Sequence, residues 1–231
     1  HGLDEGKFFE IDKDEARDRL GLPKDKFIVF NGNRNQPRKR IDQTIKAFCE
    51  FAVGKDDVML YLNMGAKDLG WAVKELFETE MMRRGQDPTA KLALTPNMNY
   101  MSAPPDENLN LIYNAADVGI NTADGEGWGL VPFEHAQTRK AQVVPNHTSS
   151  ADIWKDSAEL IDVGAWITDK DLGVERGLVD FKHAAELLNK LYENEDYRKQ
   201  VADKCFEVTQ NPSYRWDKVA EGFNKAMEVI K

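Results

Sequence analysis

Short apolar runs alternate along the chain with longer stretches in which apolar residues recur every three or four positions. Residues 27–32 (FIVFNG) are rich in β-formers and close on Asn-Gly, which predicts a buried strand. Residues 40–53 place Ile41, Ile45, Phe48 and Ala52 at helical spacing. A strand follows over 58–65, then a helix over 71–85 with glycine just beyond its basic last turn. The pattern repeats with a strand over 91–96, a helix over 105–116 with acids in its first turn, and a strand over 117–121. A helix over 130–139, a strand over 141–145 and a short strand near 158–162 come next. Helices over about 181–193, 195–209 and 214–230 close the chain. In the last of these, Trp216, Val219, Phe223, Met227 and Ile230 form one stripe, read as core packing, with a docking face for a further domain as the alternative.

Such alternation predicts an α/β fold: a Rossmann-like, doubly wound parallel sheet of about six strands with helices on both faces. Sheets of this kind bind ligands beyond the carboxyl ends of their strands. Two unusual segments, 32–40 and 121–129, each follow a predicted strand and therefore share that edge.

Composition narrows the class. The chain has 231 residues, 41% hydrophobic and 31% charged, enough for a substantial core and ordinary for a globular protein. No apolar run is long enough to span a bilayer, and no signal peptide opens the chain. Cys49 and Cys205 lie far apart in helical patterns, so no disulfide framework is expected and a cytoplasmic location is. A net charge of −9 argues against a nucleic-acid partner. Against that acidic background, residues 34–40 carry Arg34, Arg38, Lys39 and Arg40. Such a cluster fits a small anionic ligand, or else a solvated surface turn.

The second segment reads DGEGWGLVPFEHA over 124–136, with Glu126 and Glu134 eight positions apart. A helix starting near Gly129 offers unpaired backbone N–H groups to a phosphate. Gly125, Gly127 and Gly129 allow the backbone a close approach, and Pro132 falls where a first turn tolerates it. Glu134 sits one turn inside, and its side chain tilts back toward the helix start. Paired carboxylates suit vicinal hydroxyls, and Arg34 and Lys39 are placed to neutralise the anion beside them.

EGWGLVPFE resembles the E-x7-E signature of retaining glycosyltransferases of the GT-B fold, glycosyltransferase family 4 in particular. Arg34 and Lys39 match the spacing of that family's G-R-x-x-x-x-K loop, and NLNLIYNAADVGINTADGEGWG resembles its L-x-x-x-Y-x-x-A-D segment. HGLDEGKFFE resembles the opening of the family's second domain, and SYRWDKVAEGF its C-terminal helix. The resemblance implies the C-terminal, donor-binding half of a GT-B enzyme that moves sugar from a UDP-, GDP- or ADP-sugar to an acceptor hydroxyl. Residues 1–25 would be the interdomain linker and leading helix and 26–231 the nucleotide-sugar domain, the N-terminal acceptor domain being absent from the chain.

It further implies a division of labour. Arg34 and Lys39 would hold the donor diphosphate, Glu126 the hydroxyls of the transferred sugar, and Glu134 the ribose. Asn33, Gly127, Trp128 and the backbone at Gly129, Leu130 and Val131 would line the sugar and phosphates. The base would pack near Thr95, Asn97 and Asn99. No covalent intermediate on the glutamates is implied, the usual proposal being front-face departure assisted by the diphosphate. No cofactor and no metal are expected.

Several residues depart from the family pattern. Asn33 and Arg40 stand where the family has glycines, and 146–152 (NHTSSAD) replaces a Gly-Gly turn. His147 there is read as a loop histidine over a ligand contact, and His135 and His183 as structural. Asp12/Asp14 and Asp169/Asp171 are read as polar approaches to helices, not metal ligands. A nucleotide-sugar epimerase of the same architecture and a non-catalytic nucleotide-sugar-binding module are the alternatives. A dinucleotide-binding dehydrogenase does not fit, because no G-x-G-x-x-G follows the first strand. Membrane association is not legible in these residues.

Overall fold

The structure is a computed structural model and describes residues 1–4, 6–96, 98, 104–170 and 172–229. In chain order the elements begin with α1 (Lys13–Leu20), β1 (Phe27–Asn31), α2 (Ile41–Phe51), β2 (Val58–Leu62), α3 (Val73–Arg83) and β3 (Leu92–Leu94). They continue with α4 (Asp106–Ala115), β4 (Val118–Ile120), α5 (Leu130–Gln137), β5 (Ala141–Pro145), α6 (Thr148–Trp154) and β6 (Glu159–Ile161). β7 (Val163–Thr168), β8 (Glu175–Val179), α7 (Phe181–Glu193), α8 (Glu195–Thr209) and α9 (Trp216–Val229) complete the chain.

Six parallel strands run in the order β3-β2-β1-β4-β5-β6, the doubly wound arrangement in which strand order reverses between β1 and β4. That reversal opens a crevice at the carboxyl ends of β1 and β4, where both unusual segments emerge. Burial on both faces explains why β1 reads as a continuous apolar run. Phe27 and Val29 pack on one side with α2, α3 and α7, while Ile28 and Phe30 pack on the other with α4.

Residues 1–25 are tied into the same body. Asp12 caps α1 by accepting from the Glu15 amide at 2.9 Å, and Gly21 ends it with φ 65°. Arg17 is fully buried and donates to the carbonyls of Ala115, Lys24 and Lys26 and to the Asp117 carboxylate at 2.7 Å. Burial pushes the Asp117 carboxyl up, but Arg17, Lys13 and the Ile28 amide outweigh it and hold it below its ordinary value.

Three features differ from the sequence reading. The antiparallel hairpin β7–β8 was not expected, since its residues 165–168 are all exposed and lack the alternation that marks a half-buried strand. Asp169 therefore lies at the hairpin turn, bonded to Arg176, and not on the approach to a helix; Asp171 lies outside the described residues. The short α6 was also missed, because a polar Thr-Ser-Ser-Ala-Asp run precedes its buried Trp154. Finally, the α9 stripe is not core. Trp216, Phe223 and Met227 are 47%, 71% and 64% exposed, and Trp216 and Phe223 line a surface cavity instead of packing into the core; Ile230 lies outside the described residues.

Candidate donor site

Beneath the crevice lies a buried amide network. The Asn33 side chain, 2% exposed, turns inward and donates to Asn31 Oδ1 at 3.0 Å and Asn121 Oδ1 at 3.3 Å. Asn31 Nδ2 donates to Thr44 Oγ1 at 2.8 Å, and the Thr44 and Thr122 hydroxyls lie 2.7 Å apart. These bonds join the two loops that carry the basic cluster and the glycines. Asn33 in place of glycine is thus a strut between the two loops. Asn121 Nδ2, close to Gly129, has no partner among the described residues.

From this floor rise the charged groups. Arg34 grips Asp68 with two bonds, Nε at 2.8 Å and Nη2 at 3.1 Å. Residues 37–39 make a single tight helical turn that swings Lys39 inward until it is 9% exposed and paired with Glu126 Oε1. Burial pulls the Lys39 ammonium below its ordinary value, with Glu126 opposing. Arg38 Nη1 donates to Glu126 Oε2 at 3.0 Å, so that carboxylate carries one cation on each oxygen.

The glycine loop is held from several directions. The Asp124 amide donates to the Arg38 carbonyl at 2.9 Å, and Arg176 of β8 reaches Asp124 Oδ1 at 3.1 Å. Thr148 Oγ1 accepts from the Glu126 amide at 3.2 Å, and Ser149 Oγ donates to its carbonyl at 2.8 Å. The segment that replaces the family's Gly-Gly turn therefore clasps the backbone of Glu126. His147 is buried beneath the hairpin, where a Cβ on Gly177 would come within 2.7 Å of its ring.

Gly129 then starts α5 with φ 86°, in the left-handed region, and no side chain caps the helix. The first amides of α5 thus keep their donor capacity at the positive end of the helix. Asn33, Arg34, Lys39, Glu126, Gly127, Trp128, Gly129, Leu130 and Val131 all line one cavity of about 740 Å³. Trp216, Val219 and Phe223 of α9 wall its far side. Trp128 turns its ring onto Phe133 and Tyr214, with centroids 5.4 Å and 5.0 Å away.

Residues 12–206 match the family described as Glycosyl transferases group 1. The chain belongs to that family. This group 1 glycosyl transferase chain is 31% identical over 134 residues to the D-inositol 3-phosphate glycosyltransferase of Segniliparus rotundus, which covers 58% of the chain and 28% of that protein. Among solved structures, it superposes on sucrose-phosphate synthase from Thermosynechococcus elongatus with TM-score 0.73 at 16% identity, covering 99% of this chain and 51% of that one. Anabaena HepE, solved with UDP and glucose, gives 0.70 at 17% identity, covering 100% and 55%. The C-terminal domain of the Francisella tularensis group 1 protein LpcC gives 0.69 at 17% identity, covering 93% and 100%. The fold is therefore the Rossmann-like fold of GT-B glycosyltransferases, and the chain spans about half the length of the synthase and HepE chains.

Within this group 1 chain, two predicted contacts lie apart from the cavity. Glu134 accepts from the Tyr113 hydroxyl at 2.7 Å, and burial pushes its carboxyl up while that bond pulls it down. Thr95 directly follows β3, donates to Asn63 Oδ1 at 2.7 Å, and lines a separate cavity of about 460 Å³ with Tyr61 and Pro96. Asn97 and Asn99 lie outside the described residues. Sequence reasoning missed Arg38 and Asp68 as partners of the site. Arg38 was visible in the basic cluster, but the family spacing points past it to Lys39. Asp68 sits in the loop after β2 with no motif around it. Among the described residues no group of three His, Cys, Asp or Glu side chains is arranged for a metal, and no helix is long and apolar enough to cross a membrane.

Proposed function

We propose that this chain is the donor-binding half of a retaining glycosyltransferase, acting on a nucleoside diphosphate sugar and completed by an acceptor domain N-terminal to it. The observation that carries this reading is one cavity in which the uncapped start of α5, Lys39, Arg34 and Glu126 converge. The amides of Leu130 and Val131 and the positive end of α5 receive the diphosphate. Arg34 exchanges Asp68 for a phosphate oxygen, and Lys39 is shared between Glu126 and the diphosphate. As the bond from the anomeric carbon to the phosphate oxygen breaks, both cations stabilise the charge left on the nucleoside diphosphate. The acceptor oxygen bonds to that carbon from the same face and passes its proton to the departing oxygen. Glu126 accepts from hydroxyls of the transferred sugar, and Glu134, oriented by Tyr113 and outside the cavity lining, accepts from a ribose that extends past the cavity edge. No cofactor or metal takes part.

Half of the water-excluding cleft belongs to the acceptor domain, so the isolated chain binds nucleotide weakly and transfers sugar poorly. HepE, solved with UDP, makes UDP the first nucleotide to try. A thermal-shift panel with UDP, GDP, ADP and their sugar conjugates tests the reading, since a ligand of the native state raises the melting temperature. A rise with one nucleotide that Arg34→Ala and Glu134→Ala both abolish is expected. A rise that survives both substitutions would place the nucleotide elsewhere.

A further inference from the structure

Glu126 raises a problem that the donor reading leaves open. Its side chain is 5% exposed and neutralised by two cations, Lys39 on one oxygen and Arg38 on the other. A diphosphate arriving at Lys39 takes a share of that ammonium and sets its own negative charge near the carboxylate. With Lys39 as its sole cation, Glu126 would face the phosphates unneutralised and swing off the sugar. Arg38 is placed to prevent this. Its Nη1 bonds Glu126 Oε2 and the Gly125 carbonyl, each at 3.0 Å, and its own carbonyl takes the Asp124 amide at 2.9 Å. One residue thus clamps both ends of the 124–126 loop, while Arg176 holds Asp124 from the hairpin side. We propose that Arg38 is the positioning residue of the sugar subsite, keeping Glu126 aimed at sugar hydroxyls while Lys39 serves the diphosphate.

This assignment rests on the donor-site reading, and it separates two ligands that differ only in the sugar. A nucleoside diphosphate needs Lys39 and Arg34 but not Glu126; its sugar conjugate needs all three. Arg38 is 43% exposed, so replacing it leaves no buried gap in the core. Titration calorimetry with UDP, GDP, ADP and the glucose conjugate of each is the test, on wild type, Arg38→Gln and Arg38→Lys. For the nucleotide that binds, Arg38→Gln is expected to leave the dissociation constant of the diphosphate within about twofold. It should weaken the conjugate about tenfold, the scale of one charge-assisted bond. Arg38→Lys should recover part of that loss, because it restores the charge without the second donor. Equal weakening of diphosphate and conjugate would place Arg38 on the phosphates and overturn the assignment, as would no change in either. A wild type that binds none of these ligands would overturn the donor reading and this assignment together.

Discussion

A histidine directly after Glu134 invites a catalytic role, and the surroundings of His135 argue for a structural one that pH can test. Its ring is fully buried among α4, α5 and β5, with Nε2 donating to the Tyr113 carbonyl at 3.1 Å and Nδ1 facing Gln142 Nε2 at 3.2 Å. A second ring proton would point at an amide donor in a dry interior. Burial, with a smaller push from Lys140, accordingly pulls the pKa from 6.5 to about 3. The depressed value fixes the sign. Above 6.5 both folded and unfolded chains hold the ring neutral and its full contribution is present. As pH falls toward 3 only the unfolded chain takes up the proton, and stability is lost. At pH 5 the loss is about 2 kcal/mol relative to pH 7.5, at about 1.36 kcal/mol per unit. For a chain of this size that lowers the melting temperature by about 4–8 °C. His135→Gln keeps a donor for the Tyr113 carbonyl but does not titrate. Urea unfolding at the two pH values should therefore show a shallower pH dependence for the variant, by about those 2 kcal/mol. Other titrating groups, including buried His147 with its lowered pKa and Glu134 with its raised one, are common to both proteins and drop out of the difference. Parallel pH dependences for variant and wild type would refute the reasoning.

Three further substitutions probe the frame and the charges around the site. Asp117→Ala strands the buried Arg17 guanidinium and should cost about 3–5 kcal/mol in urea unfolding, more than removing both partners together. Gly129→Ala forces a side chain into the left-handed region and should cost about 1–2 kcal/mol by the same assay, together with weaker nucleotide binding. Asp68→Asn releases Arg34 and should tighten nucleoside diphosphate binding by about threefold at low salt, a gain that calorimetry at high salt should find abolished.

Much of the sheet was legible because parallel strands buried on both faces print themselves as apolar runs, as in 27–31 and 58–62. α7 and α8 were legible because each buries one stripe. The hairpin escaped because Trp166 and Ile167 on β7 are exposed and the alternation on β8 places a glycine, Gly177, at one of its two buried positions, so no apolar alternation marked either strand. The α9 stripe shows the opposite limit: an apolar face reports that a surface wants cover, not which body supplies it. In the site, Arg34, Lys39 and Glu126 were singled out by their resemblance to the family's loops, and the structure brings all three to one cavity. The partners that hold them, Asp68 on Arg34 and Arg38 on Glu126, are set by which loops the crossing strands bring together. The same holds for Arg17 and Asp117, which lie 100 positions apart and meet only once α1 packs on α4.

Hydrogen exchange with and without a saturating nucleoside diphosphate tests the donor site most directly. A diphosphate seated on the start of α5 should slow exchange at the amides of Leu130 and Val131 and at residues 33–39. It should leave unchanged the cavity between Phe9 and Phe206, which holds none of the proposed donor residues. Binding detected by calorimetry without protection at Leu130 and Val131 would contradict it.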